Sequence, residues 1–192
     1  DALSATAGGI LLPDQSKERP TEGEVMAAGP GKLHPYTGVR IHNPLKTGFS
    51  VLYGKFTGTD IIYNEEPMTM IRDDDVMLYY EGVQMTRDNV VPCRDFVLVE
   101  LSESAMETKS GIVVAASVTK DDLPCEGNVF KVGEGRMCST GEFTPSPVQI
   151  GEKVKFKDYA GNDVKIDGKE YSLVRMVELL CSIPVVEEPV SA

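Results

Sequence analysis

The sequence contains no tryptophan and only two histidines among 192 residues. Its four cysteines, Cys93, Cys125, Cys138 and Cys181, include no Cys-x-x-Cys pair. Such widely spaced thiols, with only His34 and His42 to help them, make a poor zinc cage and read as reduced, partly buried side chains. Basic residues are also short. Nineteen Lys and Arg stand against thirty Asp and Glu, a net charge of −11. A nucleic acid or an anionic membrane surface needs concentrated cations to release its counterions, so neither is expected as a partner. No apolar run approaches the roughly 18 residues of a membrane span. The opening residues have neither the basic-then-apolar order of a signal peptide nor the Arg-rich character of a transit peptide.

Catalytic motifs are missing as well. Gly133-Glu134-Gly135-Arg136-Met137-Cys138 begins like a dinucleotide fingerprint but lacks its third glycine and the helix that should follow, so it reads as a turn. Gly31-Lys32 is not a phosphate loop, and both histidines fall in one turn-rich segment, where they read as surface residues. Asp73-Asp74-Asp75 supplies too few oxygens for calcium and lacks the EF-hand spacing, so it reads as a solvated turn. No enzyme is expected from these residues, and no cofactor or metal.

What is present is a repeat. Gly48 and Gly151, Gly58 and Gly161, Asp60 and Asp163, and Arg72 and Arg175 each stand 103 positions apart. A constant offset over several residue types argues for duplication of one module rather than for a solenoid. Period-two patterns, turn residues and the Asp167-Gly168 dipeptide between Val164-Lys165-Ile166 and Tyr171-Ser172-Leu173 predict β-strands and very little helix. The expected organisation is a first module over 1–82, a linker over 83–92, a second module over 93–183 and an irregular tail over 184–192.

Each module carries a polar loop with a short aliphatic bead, at the start of the first and after the apolar strand Phe96 to Leu101 in the second. In the first, Gly8 and Gly9 precede Ile10-Leu11-Leu12; in the second, Gly111 precedes Ile112-Val113-Val114. One such triplet could fold back onto its own core. Recurrence at the same place in both modules, beside glycine, points instead to a contact with a partner. Burying three aliphatic side chains returns about 5–9 kcal/mol. Ordering five backbone residues costs about 5–10 kcal/mol, so one loop alone binds weakly. Several loops on one rigid body bind well, because later contacts form at high effective concentration.

These residues resemble the co-chaperonins of the GroES type, in the tandem form found in chloroplasts. The resemblance runs through Gly8 to Pro13, Lys17 to Val25, Ala28 to Gly31, Val51-Leu52-Tyr53, Gly58-Thr59-Asp60 and Arg72 to Val76. It continues through Thr108 to Val114, Gly133-Glu134-Gly135, Tyr159 to Asp163 and Arg175. It implies an all-β chain of two tandem GroES-like irregular β-barrel modules, the first without its N-terminal strand. The implied function is a lid on an ATP-driven chaperonin double ring, whose apical-domain groove receives Ile10-Leu11-Leu12 and Ile112-Val113-Val114. ATP would be bound by the chaperonin and not by this chain. The resemblance further implies an oligomer of GroES-like chains, the chloroplast stroma as location, and a roof formed by Lys32 to Thr47 and by Arg136 to Ile150. The alternative is a structural subunit that keeps this fold inside a permanent plastid assembly.

Overall fold

A computed structural model describes residues 20–101, 124–157 and 160–183. Among them are fourteen strands and two single 3₁₀ turns, with no α-helix. The first module holds β1 (Thr21–Glu24), β2 (Phe49–Tyr53), β3 (Thr59–Tyr63), β4 (Glu66–Met70) and β5 (Val76–Glu81). Then come β6 (Val91–Pro92), β7 (Phe96–Leu101), β8 (Pro124–Val132), β9 (Arg136–Met137) and β10 (Phe143–Thr144). The chain closes with β11 (Lys153–Lys157), β12 (Asn162–Ile166), β13 (Lys169–Arg175) and β14 (Leu179–Ile183).

The duplication holds at the level of hydrogen-bond register. β3 pairs β4 with Thr59 opposite Met70, and β12 pairs β13 with Asn162 opposite Leu173. β2 pairs β5 with Ser50 opposite Tyr80, and β11 pairs β14 with Lys153 opposite Ile183. Both of these ladders carry a bulge at the same place, between Leu52 and Tyr53 and between Lys155 and Phe156. The 3₁₀ turns at Asp73–Asp75 and Met176–Glu178 also keep the offset of 103. Gly23 and Gly127, opposite Val51 and Val154, lie 104 apart, so the one-residue change falls in the segment between β1 and β2.

That segment holds the stretches expected to form a roof, Lys32 to Thr47 and Arg136 to Ile150. In the first module Leu33 bridges Arg40, and the His34 amide donates to the Val39 carbonyl at 2.8 Å. In the second, β9 and β10 form the equivalent hairpin. Gly31 and Gly135 start the two roofs at φ of +98° and +124°, where a side chain would also strike the backbone of Ile41 or Thr144. Only glycine meets both demands. His34 departs from the surface position expected of it. It is 4% exposed, with Nδ1 3.0 Å from the Thr37 hydroxyl, and the turn at Gly141 of the other roof lies against its ring.

The sheets divide as β1-β2-β5-β6 and β12-β13-β7-β8-β11-β14, with β3-β4 standing as a separate hairpin. β7 is apolar at every position but Glu100 because both of its faces are covered. Val97, Val99 and Leu101 fill the second module's own core with Val129, Val154 and Phe156. Phe96 and Leu98 turn the other way and join Tyr171 and Leu173 in a cluster shared with Leu52, Leu78 and Tyr80 of the first module. Among the described residues the first module has no counterpart of β7, and its own core is small, built on Leu45, Val51, Val76 and Cys93. Residues 83–92 are more than a tether: β6 adds to the edge of β5, with Val91 opposite Tyr79. Pro92 is tolerated there because β6 ends its sheet.

Candidate interaction loops and the junction that carries them

The residues expected to contact a partner, Gly8, Gly9, Ile10, Leu11 and Leu12 in the first loop and Gly111, Ile112, Val113 and Val114 in the second, lie outside the described residues. What the structure places is the ground on which the loops stand. The second loop leaves from the end of β7 and returns into β8, and these two strands pair with Leu101 opposite Gly127. Its two roots are therefore neighbours. The first loop runs into β1, which pairs β2 in the same register that β8 uses with β11. β8 spans nine residues, roughly 30 Å at the rise of a strand. The chain enters β8 at Pro124 and leaves it toward β9, so entry and exit lie at opposite ends of the strand.

Two charged clusters tie the modules together. In the first, Glu100 of β7 accepts from Lys169 at 2.6 Å, Arg87 at 3.0 Å and the Tyr171 hydroxyl at 3.2 Å. The Lys169 hydrogen bond, helped by Tyr171 and Arg87, holds the Glu100 carboxyl below the usual range. Burial, reinforced by that carboxylate, pushes the Tyr171 phenol up to about 12. The Arg87 guanidinium lies 4.6 Å from the Phe130 ring centre, and its backbone amide donates to Asp167 at 2.8 Å. Residues just after β5 are thus pinned to the second module.

The second cluster centres on Arg94, which sequence reasoning missed. Its guanidinium donates to Asp73 at 2.6 Å, to Glu134 at 2.7 Å and to the His42 carbonyl at 2.7 Å. Asp73 is therefore no solvated turn residue: its side chain is 10% exposed because the arginine covers it. Lys32 pairs with the neighbouring Asp74. Nothing local marks Arg94 in the sequence, since its partners stand 21 to 52 positions away. Beside it, Cys93 is buried, and that burial raises its thiol to about 12. None of Cys93, Cys125, Cys138 and Cys181 forms a disulfide.

A cleft of about 230 Å³ opens at this junction between Asp74, Asp75, Arg136 and Arg175. Its charges are mixed, and Arg175 is already bonded to Asp95 at 2.7 Å. Among the described residues no group of three or more His, Cys, Asp or Glu is placed to hold a metal ion. The described surface offers an assembly scaffold, with polar clasps between modules and loops rooted on paired strands.

The family model described as "Chaperonin 10 Kd subunit" matches the chain twice, over residues 2–80 and 89–183. The chloroplastic 20 kDa chaperonin of Arabidopsis thaliana is 32% identical over 183 residues, covering 94% of this chain and 69% of the relative. The protein of the same name from Spinacia oleracea is 32% identical over 178 residues, covering 91% and 67%. The co-chaperonin GroES of Geobacillus stearothermophilus is 40% identical over 92 residues, covering 48% of this chain and 96% of its own length. With two matches that together span most of its length, each on a module with the same strand register, the chain belongs to the chaperonin 10 kDa subunit family.

Proposed function

We propose that the chain is a plastid co-chaperonin, a non-enzymatic lid that caps an ATP-driven chaperonin ring through two apolar loops and assists protein folding. The observation that carries the reading is the double family match, each match spanning one of the two beads read from the sequence. The relatives named chloroplastic support the plastid location. Ile10-Leu11-Leu12 and Ile112-Val113-Val114 enter grooves in the partner's apical domains. Nucleotide is bound and hydrolysed by the partner. Each loop binds weakly, so release follows from modest changes in partner geometry.

The lid is an oligomer assembled head to tail. Support comes from the contact inside the chain, where Phe96, Leu98, Tyr171 and Leu173 of the second module pack on Leu52, Leu78 and Tyr80 of the first. The offset of 103 puts Met68 and Met70 of the first module where Tyr171 and Leu173 stand in the second. It also puts Lys155, Leu180, Cys181 and Ile183 where Leu52, Met77, Leu78 and Tyr80 stand in the first. Met70 is 63% exposed, Leu180 53% and Ile183 44%, apolar side chains at matching positions on the two outer faces of one chain. Such a heterologous contact closes into a ring if its rotation allows.

Co-sedimentation with a purified chloroplast chaperonin, with and without ATP or ADP, tests the reading. Nucleotide-dependent association that is weakened on replacing Ile112 and Val113 by Ser is the expected result. A folded chain that associates under no nucleotide condition would overturn it and leave the permanent structural subunit.

A further inference from the structure

We propose that Arg94 locks the angle between the two modules and so fixes the spacing of the two loop roots. The functional part of this rests on the loops being the binding elements. The lock itself rests on geometry alone. Arg94 is 6% exposed and sits at φ +51°. Its guanidinium reaches Asp73 and the His42 carbonyl in the first module and Glu134 in the second, and it lies 5.1 Å from the Phe143 ring centre. Its carbonyl accepts from the Gly135 amide at 2.9 Å. A side chain at Gly133 would come within 2.3 Å of that same oxygen.

The residues on either side anchor in opposite directions. The Cys93 amide donates to Met77 of the first module at 2.9 Å, whereas the Asp95 carbonyl accepts from Met176 of the second at 2.8 Å. The crossing from one module to the other is therefore made at Arg94. Its Nε is buried without a hydrogen-bond partner among the described groups. A left-handed backbone and an orphaned N–H are both unfavourable, and they persist because the surrounding bonds over-determine the position.

The shared apolar cluster supplies most of the attraction between modules, but apolar burial is non-directional and tolerates slip. A planar guanidinium bonded at three points does not, because charge-assisted hydrogen bonds lose strength steeply off axis. Attraction and angle thus come from different residues. The repeat sharpens the assignment. The offset of 103 puts Met176 where Asp73 stands, and the offset of 104 puts Pro30 where Glu134 stands. Neither can bind an arginine head, so a contact between copies cannot build this clasp from the corresponding positions. The lock belongs to the junction within the chain.

Two nitroxides read the angle. They are placed at the exposed positions Thr59→Cys and Val177→Cys, in a full-length chain whose reactive thiols are removed by Cys138→Ser and Cys181→Ser. With the labelled chain diluted into an excess of unlabelled chain, one narrow distance distribution is expected in this parent, and a broadened one when Arg94→Gln is added. An unchanged width in a variant that still melts cooperatively would overturn the lock. Should Arg94→Gln not fold, Glu134→Gln removes a single partner whose side chain is 40% exposed, and it is read by the same criterion. A second arm uses the chaperonin. The affinity gained by the two-loop chain over its Ile112→Ser/Val113→Ser form should fall about tenfold with Arg94→Gln, while the one-loop affinity stays constant. An undiminished gain would overturn the role in loop spacing. Absence of binding by the parent chain would count against the co-chaperonin reading, and the distance arm would still decide the lock.

Discussion

Gly23 and Gly127 hold the same ladder position, opposite Val51 and Val154, yet among the described residues only Gly127 has a further strand pressed against it. A side chain at Gly127 would come within 2.3 Å of the Glu100 carbonyl of β7, whereas at Gly23 the first atom met is a ring carbon of Tyr53 at 3.3 Å. Backbone cannot yield as a ring can. Gly127→Ala should therefore cost about 1–3 kcal/mol through overpacking. Gly23→Ala should stay within about 0.5 kcal/mol of the parent. Denaturant midpoints of the two variants check this, and equal losses would contradict the difference in packing.

The hairpin turns give a second contrast. Asp167-Gly168 joins β12 to β13 with φ of +48° and +81°, and Asn64-Glu65 joins β3 to β4 with φ of +52° and +66°. Glycine and asparagine accept that region at little cost, but glutamate does not. Glu65→Gly should raise stability by about 0.5–1 kcal/mol, less whatever entropy the unfolded chain regains. A calorimetric melting midpoint that falls instead would show the Glu65 side chain to have an offsetting contact.

Acid and alkali should act on one cluster from opposite sides. Glu100 has its carboxyl lowered by Lys169, Tyr171 and Arg87, so its contribution is present above the unfolded value, near pH 4.3, and is lost as pH falls through the folded one. Tyr171 is raised to about 12 by burial, so its contribution is complete below the unfolded value, near pH 10, and drains away as pH rises through about 12. In Glu100→Gln the acid limb of a stability-against-pH curve should flatten. In Tyr171→Phe the alkaline limb should flatten, although Cys93, also raised to about 12, keeps part of it. Urea titrations across pH would detect both, and an acid limb unchanged in Glu100→Gln would remove the carboxylate from the account.

The shared cluster makes a further demand. Leu98 is fully buried between modules, so Leu98→Ala should cost about 2–5 kcal/mol. Because the cluster draws on both modules, that loss should move one cooperative transition downward. Two separate transitions in the parent, observed by calorimetry, would show the modules to fold independently.

Much of the frame was legible because a duplicated β module announces itself twice. The offset of 103 survived as identical registers in β3-β4 and β12-β13, and the Asp167-Gly168 turn formed where its residue types demanded. Other features depend on contacts that no local pattern encodes. β6 lies in a polar stretch and is a strand only because β5 offers it an edge. His34 reads as a surface residue until the second roof is folded against it. Arg94 looks like one basic residue beside a buried cysteine, and its meaning comes from Asp73 and Glu134, brought to it by the two modules. The loops reverse this order, since their beads were read from the sequence and stand outside the described residues.

The proposed head-to-tail contact can be separated from folding. Leu180 of β14 stands where Met77 stands in β5, and Met77 is buried against the other module while Leu180 is 53% exposed. A glutamate at an exposed strand position should change the stability of the single chain by no more than about 0.5 kcal/mol. Buried in a contact between copies, the same carboxylate would lose its water without gaining a cation, a penalty of several kcal/mol that a weak interface cannot absorb. Leu180→Glu should therefore leave the melting transition of the chain in place while shifting its mass by sedimentation from oligomer to single chain. Met70→Glu, on the opposite outer face, should do the same. Mixing the two variants should not restore a closed ring, because each leaves one spoiled face in every copy, although it should yield dimers through the two intact faces. An oligomer that survives both substitutions would place the contact between copies elsewhere on the chain.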